Sequence, residues 1–172
     1  GITGIFSQRP VASELYDSII HLQHRGQDAA GIMTYDKRMH KEKGMGLAKE
    51  VFNKENLQLL KGNIGISHNR YPTHGGFSHG EVQPFWTSVP YGIALAHNGN
   101  LTNYEDLAKE VTKEETRYLN TTSDSEVLLH LFADHLHQDA PPQNSEDFFN
   151  LLCEAVTSIF NKVKGAYSVT SI

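Results

Sequence analysis

The 172-residue sequence contains a single cysteine, Cys153, so an internal disulfide framework is excluded. So low a cysteine content is typical of reducing compartments, and we therefore expect a cytoplasmic location. No apolar run approaches the roughly 20 residues that cross a bilayer, and no signal-peptide pattern opens the chain. The sequence thus predicts neither a membrane span nor export.

Basic residues are also few. The chain has 15 Lys and Arg against 20 Asp and Glu, a net charge of -5, and the basic residues form no cluster. A nucleic-acid binder needs a basic face to neutralise phosphates, so we expect no nucleic-acid partner. The length and the 38% hydrophobic content suit a single domain with a substantial core.

Hydrophobic spacing predicts strands and helices that come in groups. Strands are predicted at 1–6, 30–35, 38–43, 63–70, 91–97 and 166–172, with a long surface loop at 72–90. Helices are predicted after Pro10, after an Asn53 cap, after capping boxes at Thr102–Glu105 and Ser123–Glu126, and from Ser145. Grouping of this kind favours layered sheets with helices outside them over a doubly wound sheet.

Three polar segments, 68–75, 97–100 and 121–126, lie at strand ends or at a helix start. Each has an ordinary structural explanation. Asn98-Gly99 is a common turn pair, the segment around Asp124 caps a helix, and an arginine such as Arg70 is more often a surface ion pair than a ligand anchor.

Taken together, however, these segments contain the parts of a receptor for an α-amino acid. Arg70 offers a planar fork that matches a carboxylate, and Asp124 offers the negative charge that an α-ammonium group needs. The Asn98 amide and the Gly99 N–H could both donate to one carbonyl oxygen, as the donors of an oxyanion hole do.

Six sequence blocks resemble, in order, the glutaminase domain of the class II, N-terminal-nucleophile glutamine amidotransferases. The blocks are LQHRGQDAAG at 22–31, RYPT at 70–73, QPF at 83–85, YGI at 91–93, HNGNL at 97–101 and TSDSE at 122–126. The resemblance covers the chain from Gly1 to Ile172, and the first block points to the purine-pathway branch of the family.

This resemblance implies an α+β fold, a four-layer α-β-β-α sandwich of the N-terminal-nucleophile hydrolase type. Residues 1–172 would form one glutaminase domain, and we expect it to be incomplete at its C-terminal end because the last predicted strand reaches Ile172 without a turn. The resemblance also implies a homo-oligomer and a following phosphoribosyltransferase domain that uses the ammonia. It implies no cofactor or metal in this domain, with Mg²⁺ expected only in the phosphoribosyltransferase domain.

The family's site residues carry over by position. The nucleophile would be a cysteine immediately before Gly1, with Arg25 bracing the amino-terminal region near it. Asn98 and Gly99 would stabilise the oxyanion. The residues that would bind glutamine are Arg70, Tyr71, Thr73, His74 and Asp124.

The sequence departs from the family in that no cysteine stands before Gly1. Cys153 lies in an amphipathic helical pattern, which predicts an inert buried thiol. Either the nucleophile precedes Gly1 outside this sequence, or the protein lacks it and only binds glutamine. The ten histidines leave a metal-dependent hydrolase as a further alternative, although the sequence contains neither an HExxH motif nor paired CxxC motifs.

Overall fold

The computed structural model describes residues 1–71, 79–113, 117–137 and 141–172. The strands are β1 (Ile2–Phe6), β2 (Ala29–Tyr35), β3 (Met39–Met45), β4 (Ile64–Arg70), β5 (Phe85–Thr87), β6 (Ile93–Leu101) and β7 (Gly165–Ser171). The helices are α1 (Ala12–His21), α2 (Ala48–Val51), α3 (Lys54–Leu57), α4 (Tyr104–Thr112), α5 (Asp124–Leu136) and α6 (Ser145–Lys162). Two 3-10 turns lie at Gln23–Arg25 and His79–Glu81.

The strands form two sheets. The first has the order β1-β4-β2-β3 with antiparallel pairing throughout, and the second has the order β5-β6-β7. In the first sheet β4 is central, because its residue His68 lies opposite Ile2 of β1 and opposite Gly31 of β2. The predicted α+β class is confirmed.

The chain divides into two compact units, each built from several stretches of sequence. The first comprises Gly1–Phe85, Ala94–Asn98 and Tyr167–Ile172, and the second comprises Trp86–Ile93 and Gly99–Ala166. The assignment of the whole chain to one functional domain stays a prediction.

In the first unit, one face of the first sheet is covered by α1. Val11, Leu15 and Ile19, spaced four residues apart, form one apolar stripe and are fully buried. They pack with Ala30 and Ile32 of β2 in one hydrophobic cluster. Because residues four apart lie on the same side of a helix, this stripe is what attaches α1 to the sheet.

The opposite face of the same sheet packs against β6. Met33 and Ile66 share a second hydrophobic cluster with Ala94 and Ala96 of β6. Successive strand residues point to opposite faces, so neighbours such as Ile32 and Met33 fall in different cores. β2 is therefore buried along almost its whole length.

The second unit contains the helices α4, α5 and α6. α5 packs against both α4 and α6, and most of its residues are buried. A helix that is apolar on several sides is expected between two others. The ring of Tyr91 meets Phe148 of α6 edge-on, with 5.3 Å between the centroids.

The interpretation of Asn98-Gly99 as a turn was wrong, because both residues lie inside β6. The buried apolar run at its start continues as strand through the polar residues to Leu101. Gly99 has a φ of 149°, a backbone conformation that a residue with a side chain rarely adopts. Glycine is therefore required here by strand geometry and not by a hairpin.

The surface loop predicted at 72–90 was also wrong at 81–87, whereas residues 88–90 form no regular element. Residues 81–85 are buried, and β5 begins at Phe85. The polar side chains of this segment find partners inside the unit, which is why a segment that looked solvent-facing in sequence can be buried. Residues 72–78 lie outside the described part of the chain.

The two predicted capping boxes are not formed as expected. The N-cap of α4 is Asn103, whose side chain bonds the backbone of Lys162 and Lys164 instead. Ser123 does cap α5 and accepts from the Ser125 N–H, but the carboxylate of Glu126 turns to the residues before the helix. The Asn53 cap of α3 is confirmed.

Across the four described ranges, no helix combines the length and apolarity that crossing a bilayer requires.

Candidate active site

The start of the chain lies at the end of β4. The Gly1 nitrogen donates to the Asn69 carbonyl and the Asn69 N–H donates to the Gly1 carbonyl, each at 2.8 Å. A Cβ atom on Gly1 would lie 3.0 Å from the Cβ of Leu22 and 3.5 Å from that of Arg25. Gly1 is therefore buried between β4 and the segment that carries Arg25.

The burial of Gly1 changes the pKa of its amino group. Burial, and then the positive charge of Arg25, lower the pKa of the Gly1 amino group from 8.0 to about 6. Both causes disfavour the charged ammonium form.

β4 ends with three polar residues whose side chains alternate between the two faces of the first sheet. Ile66 packs toward β6, so His68, two residues on, shares that face. Asn69 points the other way and donates its Nδ2 to the Ile19 carbonyl of α1 at 2.6 Å. The alternation predicted for 63–70 is thus confirmed in its polar as well as its apolar positions.

Arg70 forms a buried ion pair. Its Nη2 lies 2.6 Å from Oε2 of Glu81, and the two side chains are only 11% and 9% exposed. One charge of such a pair left alone in low dielectric would be costly. The pair therefore fixes the direction of the guanidinium at the end of β4, while its remaining N–H groups can serve a second anion.

His68 is a buried imidazole. Burial is the main reason that its pKa falls from 6.5 to about 3, followed by the charges of the Gly1 amino group and His97. A hydrogen bond with the Asn98 side chain acts in the opposite direction but does not offset the burial. His68 is therefore neutral at physiological pH and lies beside the candidate oxyanion residue.

The His68 pKa makes stability depend on pH in a defined direction. Below pH 6.5 the unfolded chain protonates His68 while the folded chain does not, so the free energy of unfolding falls as the pH drops toward about 3. We expect His68→Gln to reduce this slope by about 1.4 kcal/mol per pH unit, the contribution of one proton. Urea unfolding at pH values between 6 and 4 measures it. An unaltered slope in His68→Gln would contradict the burial of a neutral imidazole, and His137→Gln, at an exposed position, is the matched control.

The backbone just before Asn98 is held by the side chain of Gln83. The His97 N–H donates to Oε1 of Gln83 at 2.7 Å, and Nε2 of Gln83 donates to the His97 carbonyl at 3.1 Å. Both residues are buried. One side-chain amide thus satisfies both polar groups of a strand residue, as a neighbouring strand would.

In the second unit, Asp124 lies against the end of β6. As the first residue of α5 it accepts the Leu101 N–H on Oδ2 at 3.1 Å. The helix start favours its negative charge. The structure therefore brings Asp124 within reach of the strand segment that begins at Gly99.

The segment preceding α5 is organised by Glu126. Its carboxylate accepts from the N–H and side chain of Asn120 and from the N–H and hydroxyl of Thr121, at 2.7 to 3.0 Å. Burial by itself would raise the pKa of Glu126, but these hydrogen bonds outweigh it, and the pKa is lowered. Glu126 thus fixes the chain that leads to Asp124.

The remaining predicted positions have mixed outcomes. Tyr71 is 65% exposed, and Thr73 and His74 lie outside the described residues. The expectation that Cys153 is buried was wrong, because it lies on the exposed side of α6. Within the described ranges, no three His, Cys, Asp or Glu side chains are grouped as metal ligands, so the metal-hydrolase alternative finds no support there.

Glu81 and Gln83 are the site-adjacent residues that the sequence did not reveal. Both fell in the predicted surface loop, where a glutamate and a glutamine look like ordinary solvated residues. Gln83 belonged to one of the resembling blocks, and this was the one available signal. Their partners, Arg70 and His97, are distant in sequence, so no local pattern could have paired them.

Residues 68–171 match the model of a glutamine amidotransferase domain, and the chain belongs to this family. Over its whole length the chain is similar to the amidophosphoribosyltransferase of Pseudomonas aeruginosa, with 47% identity over 174 residues that make up 34% of that protein. The chain thus spans about a third of the length of such curated relatives.

Solved structures give the same result. The chain is similar to a structure described as the allosteric regulatory enzyme of purine biosynthesis, with 33% identity and a TM-score of 0.81 over 99% of this chain and 35% of the other. It is also similar to the glutamine phosphoribosylpyrophosphate amidotransferase from B. subtilis complexed with ADP and GMP. That match has 32% identity and a TM-score of 0.79, over 99% of this chain and 34% of the other.

Proposed function

We propose that this chain hydrolyses glutamine to glutamate and ammonia. The observation that carries the proposal is the hydrogen-bonded pair of Gly1 and Asn69. It brings the start of β1 to the end of the strand that carries Arg70, in a chain that belongs to the glutamine amidotransferase domain family. A nucleophile attached to Gly1 would act at this position.

In the proposed reaction a cysteine immediately before Gly1 attacks the side-chain carbonyl carbon of glutamine. Its own α-amino group, directly or through water, takes the thiol proton. The C–N bond then breaks, ammonia leaves with the proton, and water hydrolyses the thioester to release glutamate.

Asn98 and Gly99 would stabilise the oxyanion of the tetrahedral intermediate. The Asn98 side chain forms a hydrogen bond with the buried His68 ring, which would help to orient it. The Asn98 NH₂ group would donate to the substrate oxygen, as an oxyanion donor must. Arg25 would brace the amino-terminal region.

The α-carboxylate and the α-ammonium group of glutamine would each bind a side chain of the opposite charge. Arg70 would hold the α-carboxylate with the guanidinium N–H groups that Glu81 does not use, and Tyr71, Thr73 and His74 would lie beside it. Asp124 would hold the α-ammonium group, since its carboxylate at the start of α5 has the opposite charge.

Replacing the cysteine before Gly1 with alanine is expected to abolish glutamate release, because no other thiol is proposed to attack. Cys153→Ala is the matched control and should leave turnover nearly intact, since this thiol lies on the exposed side of α6. Glutamate release is measured in the complete protein, and intact mass identifies its first residue. Loss of turnover in Cys153→Ala, or a mature protein without the amino-terminal cysteine, would contradict the assignment.

For the complete protein we propose amidophosphoribosyltransferase activity. The relatives carry this name and are about three times as long as this chain. A following phosphoribosyltransferase domain would use the ammonia to convert phosphoribosyl pyrophosphate into phosphoribosylamine, the first committed step of purine synthesis. Mg²⁺ would serve that domain, whereas the glutaminase domain would need neither metal nor cofactor.

The complete fold, the oligomeric state and the cellular location are proposed on the same basis. The four-layer α-β-β-α sandwich would be completed by strands that follow Ile172. The helix layer and the two strand layers of the first unit support this arrangement. We further propose a homo-oligomer located in the cytoplasm.

A further inference from the structure

We infer that Gln83 is a positioning residue for the oxyanion-binding strand of this site. The inference rests on the proposed glutaminase function and assigns a role that the carried-over residues do not include. Gln83 would not touch glutamine. It would act through His97, by holding the backbone that places the Asn98 amide and the Gly99 N–H.

The contact between Gln83 and β6 has two components. The Gln83 amide accepts the His97 N–H at 2.7 Å and donates to the His97 carbonyl at 3.1 Å. Gln83 is 8% exposed and His97 is 2% exposed, so water does not readily replace either bond. The peptide groups on both sides of His97 are therefore fixed, and the second of them leads directly into Asn98.

Gln83 is itself held by the first sheet. Nζ of Lys43 in β3 donates to the carbonyls of Val82 and Pro84, at 2.5 and 3.1 Å, which bracket Gln83 on both sides. The same ammonium lies 5.4 Å from the ring centroid of Phe85. A lysine largely withdrawn from water loses hydration, so its three partners must compensate, and this makes a rigid attachment.

Close backbone packing adds a further constraint. A Cβ atom on Gly31 of β2 would lie 2.0 Å from the Gln83 carbonyl oxygen, so only glycine allows this approach. The 82–85 segment is thus attached to β2 and β3 by its backbone and to β6 by the Gln83 side chain. This chain of contacts connects the rigid first sheet to the oxyanion residues.

Such a role has a distinct kinetic signature. Oxyanion donors act on a charge that exists only in the transition state, and a displacement of about 1 Å can cost about a hundredfold in rate. Arg70 and Asp124, which would bind the ground-state substrate, make no bond with the Gln83 side chain among those described. A defect at Gln83 should therefore lower kcat and leave KM for glutamine nearly unchanged.

We expect Gln83→Met, which keeps the length but removes both hydrogen bonds, to lower kcat by about tenfold with KM within about twofold of the parent. Gln8→Met, at an exposed position of the same unit, is the matched control. Active-site titration with a glutamine-like alkylating agent corrects kcat for any unfolded fraction. An unchanged kcat per titrated site, or a KM that rises with the loss of kcat, would overturn the inference.

A second variant, Gln83→Glu, separates positioning from simple stabilisation. A protonated glutamic acid has one O–H donor and one carbonyl acceptor and can make both bonds to His97, whereas the carboxylate has no donor. The ratio of its kcat to that of the parent should therefore rise as the pH falls from about 8 to about 5, within the range that buried carboxyl groups reach. Dividing by the kcat of the parent at each pH removes the pH dependence that the two proteins share. The ionisable side chains next to residue 83 are those of Lys43, Glu81 and His97. A ratio that is constant or falls with pH would overturn the inference.

These outcomes are distinguishable from failure of the proposed function. A parent protein that releases no glutamate from glutamine contradicts the function itself. An active parent whose Gln83 variants behave as the parent does contradicts only the positioning role.

Discussion

Asn98→Ala is expected to lower kcat for glutamine hydrolysis by about a hundredfold or more, the usual loss for one oxyanion donor. KM should change little, because the amide acts on charge that develops only in the transition state. Steady-state glutamate release by the complete protein provides both constants. Asn100→Ala, two residues on at an exposed position, is the matched control.

Asn98 also bonds the buried His68 ring, so its removal affects packing as well as catalysis. The melting temperature of Asn98→Ala shows how much of the loss is structural. A folded Asn98→Ala protein with the parental kcat would remove Asn98 from the oxyanion role.

Arg70→Ala is expected to raise KM for glutamine by about a hundredfold, within the range found when a charged partner loses its counterpart. The same change removes the Arg70 charge that pairs with the buried Glu81 carboxylate, so the free energy of unfolding should also fall by several kcal/mol. Initial rates across a glutamine series and urea unfolding measure the two effects separately.

The Arg70→Lys variant distinguishes the contribution of Arg70 to glutamine binding from its contribution to stability. It retains a positive charge for Glu81 but lacks the planar fork that binds a carboxylate with two hydrogen bonds. We expect most of the stability to return while KM stays high, and Arg9→Ala, at an exposed site, to alter neither. A parental KM in Arg70→Lys would show that the guanidinium serves Glu81 alone.

Sequence periodicity predicted the elements whose residues share one face. The stripe of Val11, Leu15 and Ile19 and the alternation along 64–70 both result from burial of one side, which a local pattern records directly. The class of the fold followed from these elements, and the family resemblance identified the candidate residues on them.

The errors arose where a long-range partner decides the local structure. Asn98-Gly99 has turn chemistry, yet pairing within the second sheet keeps it in β6. Residues 81–85 are polar enough for a loop, yet Arg70 and His97 supply buried partners for Glu81 and Gln83. The exception is Glu126, which has capping-box spacing but whose carboxylate bonds Asn120 and Thr121, six and five residues before it. Partners separated by many residues leave no periodic signal in a single sequence.

The end of β4 limits which changes of chain length the protein can tolerate. His68 faces β6, Asn69 faces α1 and Arg70 meets Glu81, so three successive side chains have three different tasks. Inserting or deleting one residue between Asn63 and Arg70 would move each side chain to the opposite face of the sheet. The spacing of this strand is therefore as constrained as the identity of its residues, and engineered insertions belong elsewhere in the chain.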